Sequence, residues 1–209
     1  MKIGILGSGT VGQQLGIGFI RLGYDVKMGT RDKSKLDEWI KNNNGSIGSF
    51  EEAAKFGEVI VLATAGSGTE NAINLAKKEN FENKIVVDVT NPLDHSTMPP
   101  GLTSSFGNSE GERIQRLLPK SKVVKAFNTI SAYIMCNPKR EEGDPDLFIC
   151  GNDEGKEFVT KIAKEWGWKN VYDLGDLSNA YWLETFAMLW IVYGFKNNHW
   201  THAFKLLKK

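Results

Sequence analysis

Residues 1–31, MKIGILGSGTVGQQLGIGFIRLGYDVKMGTR, decide the fold of this chain. Lys2–Leu6 is a short apolar run that predicts a buried strand, and Tyr24–Met28 predicts a second one. Between them, apolar residues recur at helical spacing from position 11 to position 22. A strand, a helix and a strand in so short a stretch predict a βαβ unit with parallel strands.

Three glycines stand between the first strand and the helix in the spacing G-x-G-x-x-G. In a dinucleotide site, Gly7 allows the tight turn out of the strand and Gly9 lets backbone approach a pyrophosphate. Gly12 lets the helix pack close to the sheet. The helix would then direct free N–H groups and a positive dipole end at the phosphates. This context favours a dinucleotide site, and the alternative is a glycine-rich turn without a ligand.

The end of the second strand indicates which dinucleotide would bind. NAD sites place a carboxylate there for the ribose 2′-hydroxyl, whereas NADP sites use arginine and small polar groups for the 2′-phosphate. Here Gly29-Thr30-Arg31 occupies that end and Lys35 follows. A guanidinium can bind a phosphate with two hydrogen bonds. The sequence therefore predicts NADP(H), the alternative being that Arg31 and Lys35 are solvated charges opening the next helix.

Length and composition limit the possible classes of protein. The chain has 209 residues, 41% hydrophobic and 24% charged, as in globular domains. Its net charge of +1 argues against a nucleic-acid partner. The apolar run Phe186–Phe195 is too short to span a membrane. With no visible signal peptide, and with Cys136 and Cys150 offering no disulfide framework, we expect a cytoplasmic protein.

Further strands and helices alternate along the chain. We predict strands at 46–49, 58–63, 84–89, 122–127, 146–150 and 171–174, and helices at 34–43 (with Ser34 as N-cap), 50–56, 69–78, 109–118, 153–166, 176–195 and 197–209. The expected fold is α/β, a Rossmann-like, doubly wound, mainly parallel sheet with a helical C-terminal extension. Residues 1–176 would form the NADP-binding domain. Residues 177–209 would form an extension packed on that domain or on a dimer partner.

Parallel strands bring their carboxyl ends to one edge of a sheet, where ligands bind. The exits Gly7–Gly12, Thr30–Arg31, Ala63–Gly68 and Thr90–Pro92 should therefore converge. The long polar loop 93–107, which contains His95, is expected to form a wall of the substrate site.

Several segments together resemble one family. GILGSGTVG, GTR, IVLAT, IVVDVTNPL, VVKAFNTIS, LFICGND and DLGDLSNAYWLE occur in order over almost the whole chain. They resemble NADPH-dependent coenzyme F-420 (deazaflavin) reductases and, in the same segments, the cytosolic NADPH domains of six-transmembrane metalloreductases. The resemblance implies a Rossmann-like domain that binds NADP(H), with a flavin or deazaflavin against the nicotinamide.

The resemblance also implies roles for individual residues. The pyrophosphate turn would include Ser8, Thr10 and Val11, the 2′-phosphate would lie at Thr30, Arg31 and Lys35, the riboses at Ala63, Thr64 and Ala65, and the nicotinamide at Asn91, Pro92, Ala126, Phe127 and Asn128. Two positions depart from the deazaflavin reductases. The loop Ala65–Gly68 replaces a proline or bulky residue, and Asn128, common in the metalloreductases, stands where those reductases often have histidine.

Hydride transfer between two planar rings needs positioning and exclusion of water rather than acid–base groups, and no strong acid–base constellation is visible. His199 and His202 lack a third metal ligand nearby. We expect Glu184 to cap a helix or to pair with another group rather than to catalyse. The aromatic helix that contains Trp182 and Trp190 could be a dimer interface, a wall for a planar ring or core.

We therefore predict an NADP(H)-dependent oxidoreductase that transfers hydride to or from a flavin or deazaflavin. Asn91, Pro92 and Asn128 would line the hydride site, the protein would be a homodimer, and it would bind neither metal, membrane nor nucleic acid. One alternative is an NADPH-binding sensor without turnover. Another is a flavin-mediated reductase of metal chelates.

Overall fold

The computed structural model describes residues 1–208 and has a twisted sheet with helices on both faces. The main sheet has the strand order β10-β9-β8-β5-β4-β1-β2-β3, and β6 pairs with β7 separately. The strands are β1 (Lys2–Leu6), β2 (Asp25–Gly29), β3 (Ser46–Gly48), β4 (Val59–Leu62), β5 (Ile85–Asp88), β6 (Leu93–Asp94), β7 (Gly101–Leu102), β8 (Lys122–Lys125), β9 (Asp146–Gly151) and β10 (Asn170–Asp173). Strands β1 to β5 and β8 are parallel, whereas β9 is antiparallel to β8 and parallel to β10.

Most helices begin and end within a few residues of the predicted positions. The helices are α1 (Thr10–Arg21), α2 (Asp37–Asn42), α3 (Phe50–Phe56), α4 (Thr69–Ala76), α5 (Glu110–Leu117), α6 (Ala132–Met135), α7 (Asp153–Glu165) and α8 (Ala180–Asn197). The short α6 was not predicted. Capping boxes start α3 and α5, where Ser49 pairs with Glu52 and Ser109 with Glu112. Each box satisfies two N–H groups that the helix itself leaves free.

The core lies in two layers, one on each face of the sheet. Side chains of α1, α6 and α7 pack on one face, and those of α3, α4 and α5 pack on the other. In β4, Val59 and Val61 belong to the first layer, whereas Ile60 and Leu62 belong to the second. A strand covered on both faces is apolar throughout, which explains its continuous VIVL sequence. The predicted doubly wound, mainly parallel fold is confirmed.

Three predictions about elements are corrected. Ser34 does not cap a helix over 34–43, because the Asp32 carboxylate accepts the Ser34 N–H and starts a 3₁₀ turn ahead of the shorter α2. The loop 93–107 contains the β6–β7 pair. The predicted helix over 197–209 is wrong, because α8 ends at Asn197 and residues 198–208 are not helical. The last residue of that prediction, Lys209, lies outside the described residues.

Residues 198–208 instead fold back along α8 and the start of β9. The indole N–H of Trp190 donates to the His202 carbonyl at 2.8 Å. The backbone N–H of Asp146 donates to the Phe204 carbonyl at 3.0 Å. These contacts with distant residues replace the local hydrogen bonds of a helix.

Candidate functional site

A cleft of about 640 Å³ opens at the carboxyl ends of β1, β2 and β4. Nine of the predicted cofactor residues line it: Gly7, Ser8, Gly9, Thr30, Arg31, Lys35, Ala63, Thr64 and Ala65. The remainder of the lining comes from Asp32, Phe50, Ser67, Gly68, Asn71 and Ala72. Three of the four predicted strand exits therefore meet in one cleft.

The three glycines of the turn have different surroundings. Gly7 has φ +133°, and a Cβ there would lie 2.3 Å from the carbonyl oxygen of Ala63. A Cβ on Gly12 would lie 2.3 Å from the Gly7 carbonyl oxygen. A Cβ on Gly9 would meet no atom within 4 Å. Gly7 and Gly12 are therefore required by the fold, whereas glycine at position 9 only keeps the cleft floor open.

The first turn of α1 leaves its backbone donors available. Gly9 is the N-cap, so no side chain accepts the N–H groups that follow it. An anion at this end would be stabilised by those N–H groups and by the helix dipole. Beside them, the Thr30 and Ser8 hydroxyl oxygens lie 3.0 Å apart. The Thr30 hydroxyl is also within 2.9 Å of the Asp32 carbonyl, so the Ser8 hydroxyl is the one that remains available beside the main-chain donors.

The rim of the cleft carries an uncommitted guanidinium. Arg31 is exposed and, within residues 1–208, makes no hydrogen bond or ion pair through its side chain. The neighbouring Asp32 carboxylate is engaged by the Ser34 hydroxyl at 2.6 Å and the Ser34 N–H at 3.1 Å. Both hydrogen bonds lower the pKa of Asp32. The arrangement suits a phosphate at Arg31, so the donors and the open floor of the cleft fit the NADP group that the sequence predicts.

The exit of β4 packs directly on the exit of β5. A Cβ on Gly66 would lie 2.6 Å from the carbonyl oxygen of Asn91 and from the Cα atom of Pro92. No side chain fits there, which explains a glycine in the loop after β4. Pro92 lines a smaller cavity of about 320 Å³ beyond this contact.

Asn91 and Asn128 are brought together next to that contact. The Asn128 amide nitrogen donates to the Asn91 side-chain oxygen at 3.0 Å and to the Leu183 carbonyl at 3.0 Å. The Asn91 amide nitrogen donates to the Asn128 carbonyl at 2.8 Å. The side-chain oxygen of Asn128 is buried and has no partner in the described part of the chain. This amide pair, Asn91 with Asn128, therefore has an acceptor to spare.

A strained backbone conformation precedes Asn128. Phe127 has φ +60°, which is unfavourable for a bulky residue. Its ring centroid lies 5.5 Å from that of Trp166 and 6.4 Å from that of Trp168. Such strain persists only where the surroundings fix it, and it is common at functional sites.

The other predicted site residues lie outside the 640 Å³ cleft. Thr10 begins α1, Val11 is the next residue of that helix and packs against the core, and Ala126 is fully buried directly after β8. Together with Gly12, the amide pair and Pro92, they support the cleft or border it rather than line it.

A buried ionic cluster was not predicted. Asp88 and Lys125 are register partners at the ends of β5 and β8, and Glu184 of α8 completes the group. Burial disfavours the Lys125 ammonium, but the two carboxylates more than offset this and raise the pKa of Lys125. The prediction that Glu184 caps or pairs is correct: it pairs with Lys125 and accepts the N–H groups of Glu110 and Gly111. The sequence did contain one indication of this cluster, namely a charged residue at the end of each of two strands.

The histidines show no sign of metal binding. His95 is exposed on the loop 93–107. The ring of His202 stacks on Trp190 with centroids 4.7 Å apart, and its nitrogens face two backbone carbonyls. Across residues 1–208, no three histidine, cysteine or acidic side chains are grouped so that they could hold a metal ion. Within the same residues, no helix combines the length and the apolar character needed to cross a membrane.

Comparison with known proteins identifies the family. Residues 2–92 match the family model described as NADP oxidoreductase coenzyme F420-dependent. The F420-dependent NADP reductase of Methanocaldococcus jannaschii is 31% identical over 207 residues, which cover 91% of each chain. A solved structure from Arthrobacter sp. FB24, proposed to be an F420-dependent NADP reductase, is 36% identical and covers all of both chains with a TM-score of 0.94.

A second group of relatives is longer. Metalloreductase STEAP3 of Rattus norvegicus is 31% identical over 180 residues, or 86% of this chain. This chain spans about a third of that protein's length (35%). The matches confirm the predicted resemblance and the prediction of an NADP(H)-dependent oxidoreductase. The chain belongs to the family of coenzyme F420-dependent NADP oxidoreductases.

Proposed function

We propose that this protein transfers hydride between NADPH and a flavin or deazaflavin. The observation that carries the proposal is the cleft itself, with an open floor at Gly9 and an uncommitted guanidinium at Arg31. The relatives named as F420-dependent NADP reductases support a deazaflavin as acceptor.

Each part of the cleft has a binding role in this proposal. The first-turn N–H groups of α1, with Ser8, bind the pyrophosphate, and Thr30, Arg31 and Lys35 bind the 2′-phosphate. Residues Ala63–Ala65 lie along the riboses. NADPH would supply the hydride, and the protein would position the two reacting rings and exclude water from them.

The amide pair marks the reacting end of the site. Both asparagines stand where the resemblance places the nicotinamide, and Pro92, which follows Asn91, packs against Gly66 in the loop after β4. Pro92 and the loop 93–107 border this end, and we assign them to the wall that holds the acceptor. We include a cytoplasmic location in the proposal because both Cys136 and Cys150 are free thiols.

The proposal is tested by an acceptor screen with the purified protein. NADPH is mixed in a stopped-flow instrument with riboflavin, FMN, FAD, a deazaflavin or a ferric chelate plus FMN. We expect the fastest decay of NADPH absorbance with the deazaflavin, accompanied by bleaching of its own absorbance. Tight NADPH binding with no oxidation by any acceptor would refute hydride transfer and favour the sensor. Iron reduction that requires FMN would favour the chelate reductase.

We also propose that the protein is a homodimer joined through α8. Apolar residues occur around the whole circumference of the helix, and Trp182, Leu189, Val192 and Tyr193 remain exposed on it. A helix of this kind is normally covered.

Light scattering after gel filtration tests the dimer. We expect the wild type at twice the mass of one chain and Leu189→Glu at the mass of one chain, because a charge would be buried in the interface. Leu189 is 62% exposed, and the matched control is Leu75→Glu on α4, where the leucine is 49% exposed. The control should remain dimeric. A wild type that runs as a single chain, or a dimer unaffected by Leu189→Glu, would contradict the proposal.

A further inference from the structure

The buried cluster of Asp88, Lys125 and Glu184 contacts Thr90, the residue before Asn91 of the amide pair. All three side chains are fully buried. The Lys125 ammonium has three donors, and each has one acceptor: Asp88 Oδ2, Glu184 Oε1 and the Thr90 carbonyl, all at 2.8 Å. An ammonium in this position is completely satisfied.

The two carboxylates of the cluster also accept hydrogen bonds from neighbouring groups. Asp88 Oδ1 accepts the Thr90 N–H at 2.9 Å and the Thr90 hydroxyl at 2.7 Å. The Glu184 oxygens accept the Glu110 N–H at 3.1 Å and the Gly111 N–H at 3.2 Å. The cluster therefore joins β5, β8, α5 and α8 at one point. Because it has no free donor and no exposure, it cannot exchange protons with a ligand in this arrangement.

Two covalent neighbours connect the cluster to the amide pair. Thr90, whose N–H, hydroxyl and carbonyl all bind the cluster, precedes Asn91. Leu183, whose carbonyl accepts the Asn128 amide, precedes Glu184. Both asparagines are thus attached to backbone that the cluster fixes.

We infer that Asp88, Lys125 and Glu184 are positioning residues that hold the Asn91–Asn128 amide pair in the geometry needed for hydride transfer. The inference deepens the proposed function and rests on it, because it assumes that the amide pair lies at the reacting end. Buried charges are a costly way to gain stability alone, since apolar residues of similar size often serve as well. The cluster instead fixes the orientation of the groups that it binds, because each of its hydrogen bonds has one partner and a preferred angle.

Glu184→Gln is the principal test, because it keeps the size of the side chain and removes one charge. The amide cannot accept from Lys125, Glu110 and Gly111 together, so α8 and the Leu183 carbonyl should shift. We expect kcat to fall by roughly tenfold or more, because small misplacements of a reacting group carry large costs in rate. The Kd for NADPH should stay near the wild-type value, because no residue of the 640 Å³ cleft is changed.

A readout in the protein without ligand separates positioning from activity. In nitrogen-15 NMR spectra of the wild type, the Asn128 side-chain amide should exchange slowly with solvent. In Glu184→Gln it should exchange at least about tenfold faster, as expected when a buried hydrogen bond of about 1.4 kcal/mol is lost. Thr90→Val, which removes only the hydroxyl bound to Asp88, is a milder variant that should shift both readouts in the same direction. If Glu184→Gln does not fold, the two readouts are taken from Thr90→Val instead.

Phe81→Leu is the matched control for stability. Phe81 is fully buried before β5, at the opposite edge of the sheet from the amide pair. It should lower Tm while leaving kcat and the Asn128 exchange rate unchanged. Cluster variants that behave like this control, with unchanged exchange and kcat, would overturn the inference. If the wild type transferred hydride to no acceptor, the proposed function would fail, and the exchange rates would still decide whether the cluster holds the amide pair.

Discussion

Arg31→Ala should raise the Kd for NADPH by roughly 10- to 150-fold while changing the Kd for NADH less than threefold. The range corresponds to about 1.5–3 kcal/mol for hydrogen bonds to a charged group. Only NADPH carries the 2′-phosphate, and Arg31 has no protein partner within residues 1–208, so its removal should leave the free protein intact. Titrations of tryptophan fluorescence or calorimetry give both constants.

Lys33→Ala is the matched control for Arg31. Lys33 is an exposed cation two residues later that does not line the cleft. Its replacement should change the Kd for NADPH and the Kd for NADH only slightly and to a similar extent, by lowering the positive potential of the rim. An equal loss for the two nucleotides in Arg31→Ala would mean that the guanidinium does not face the 2′-phosphate, and the NADP assignment of this rim would be wrong.

Gly9→Ala should weaken NADPH binding by about ten- to a hundredfold, or about 1.4–2.7 kcal/mol, with little change in Tm. The new methyl group meets no protein atom within 4 Å, and the backbone of Gly9, at φ −77° and ψ 177°, suits any residue. The methyl would occupy the space that a pyrophosphate needs at the start of α1. Differential scanning fluorimetry and a binding titration measure the two effects separately.

Gly12→Ala is the complementary variant in the same turn. Its Cβ would lie 2.3 Å from the Gly7 carbonyl oxygen, so the packing of α1 on the sheet must shift and Tm should fall markedly. The pair of variants separates a glycine kept for a ligand from a glycine kept for the fold. If Gly9→Ala instead lowered Tm and left NADPH binding intact, the floor of the cleft would not be the pyrophosphate site.

The parts of the fold that the sequence predicts well are those set by neighbouring residues. The unit from β1 to β2 follows from alternating apolar runs around a glycine turn, and its observed bounds differ from the predicted ones by about a residue. The cap of the 3₁₀ turn that precedes α2 shows the limit of such predictions. Asp32 and Ser34 are both good N-cap residues two positions apart, and only the structure shows that Asp32 accepts the hydrogen bonds.

The parts that were missed depend on contacts between distant segments. Residues 198–208 are apolar enough for a helix, but Trp190 and Asp146 supply hydrogen-bond partners that favour a non-helical path along α8 and β9. Asp88 and Lys125 are the last residues of β5 and β8, and their pairing becomes visible only when the two strands are placed side by side. Glu184, 59 residues after Lys125 in the sequence, completes the cluster from α8.

The amide pair was predicted as two separate residues and is more informative as a unit. Asn91 and Asn128 were placed near the nicotinamide by resemblance, and the structure adds three hydrogen bonds around them. It also adds a buried oxygen without a partner and a strained residue, Phe127, immediately before Asn128. None of these features follows from residue type or spacing, because each depends on contacts between segments that are distant in the sequence.

The most direct test of the central claim is the fate of the hydride itself. NADPH deuterated at C4 of the nicotinamide, in each stereochemical form, is mixed with the protein and the deazaflavin, and the products are analysed by mass spectrometry. We predict that one of the two forms passes its deuterium to the acceptor while the other retains it on NADP. Retention of deuterium in both forms, or its appearance in solvent rather than in the acceptor, would contradict direct hydride transfer in this cleft.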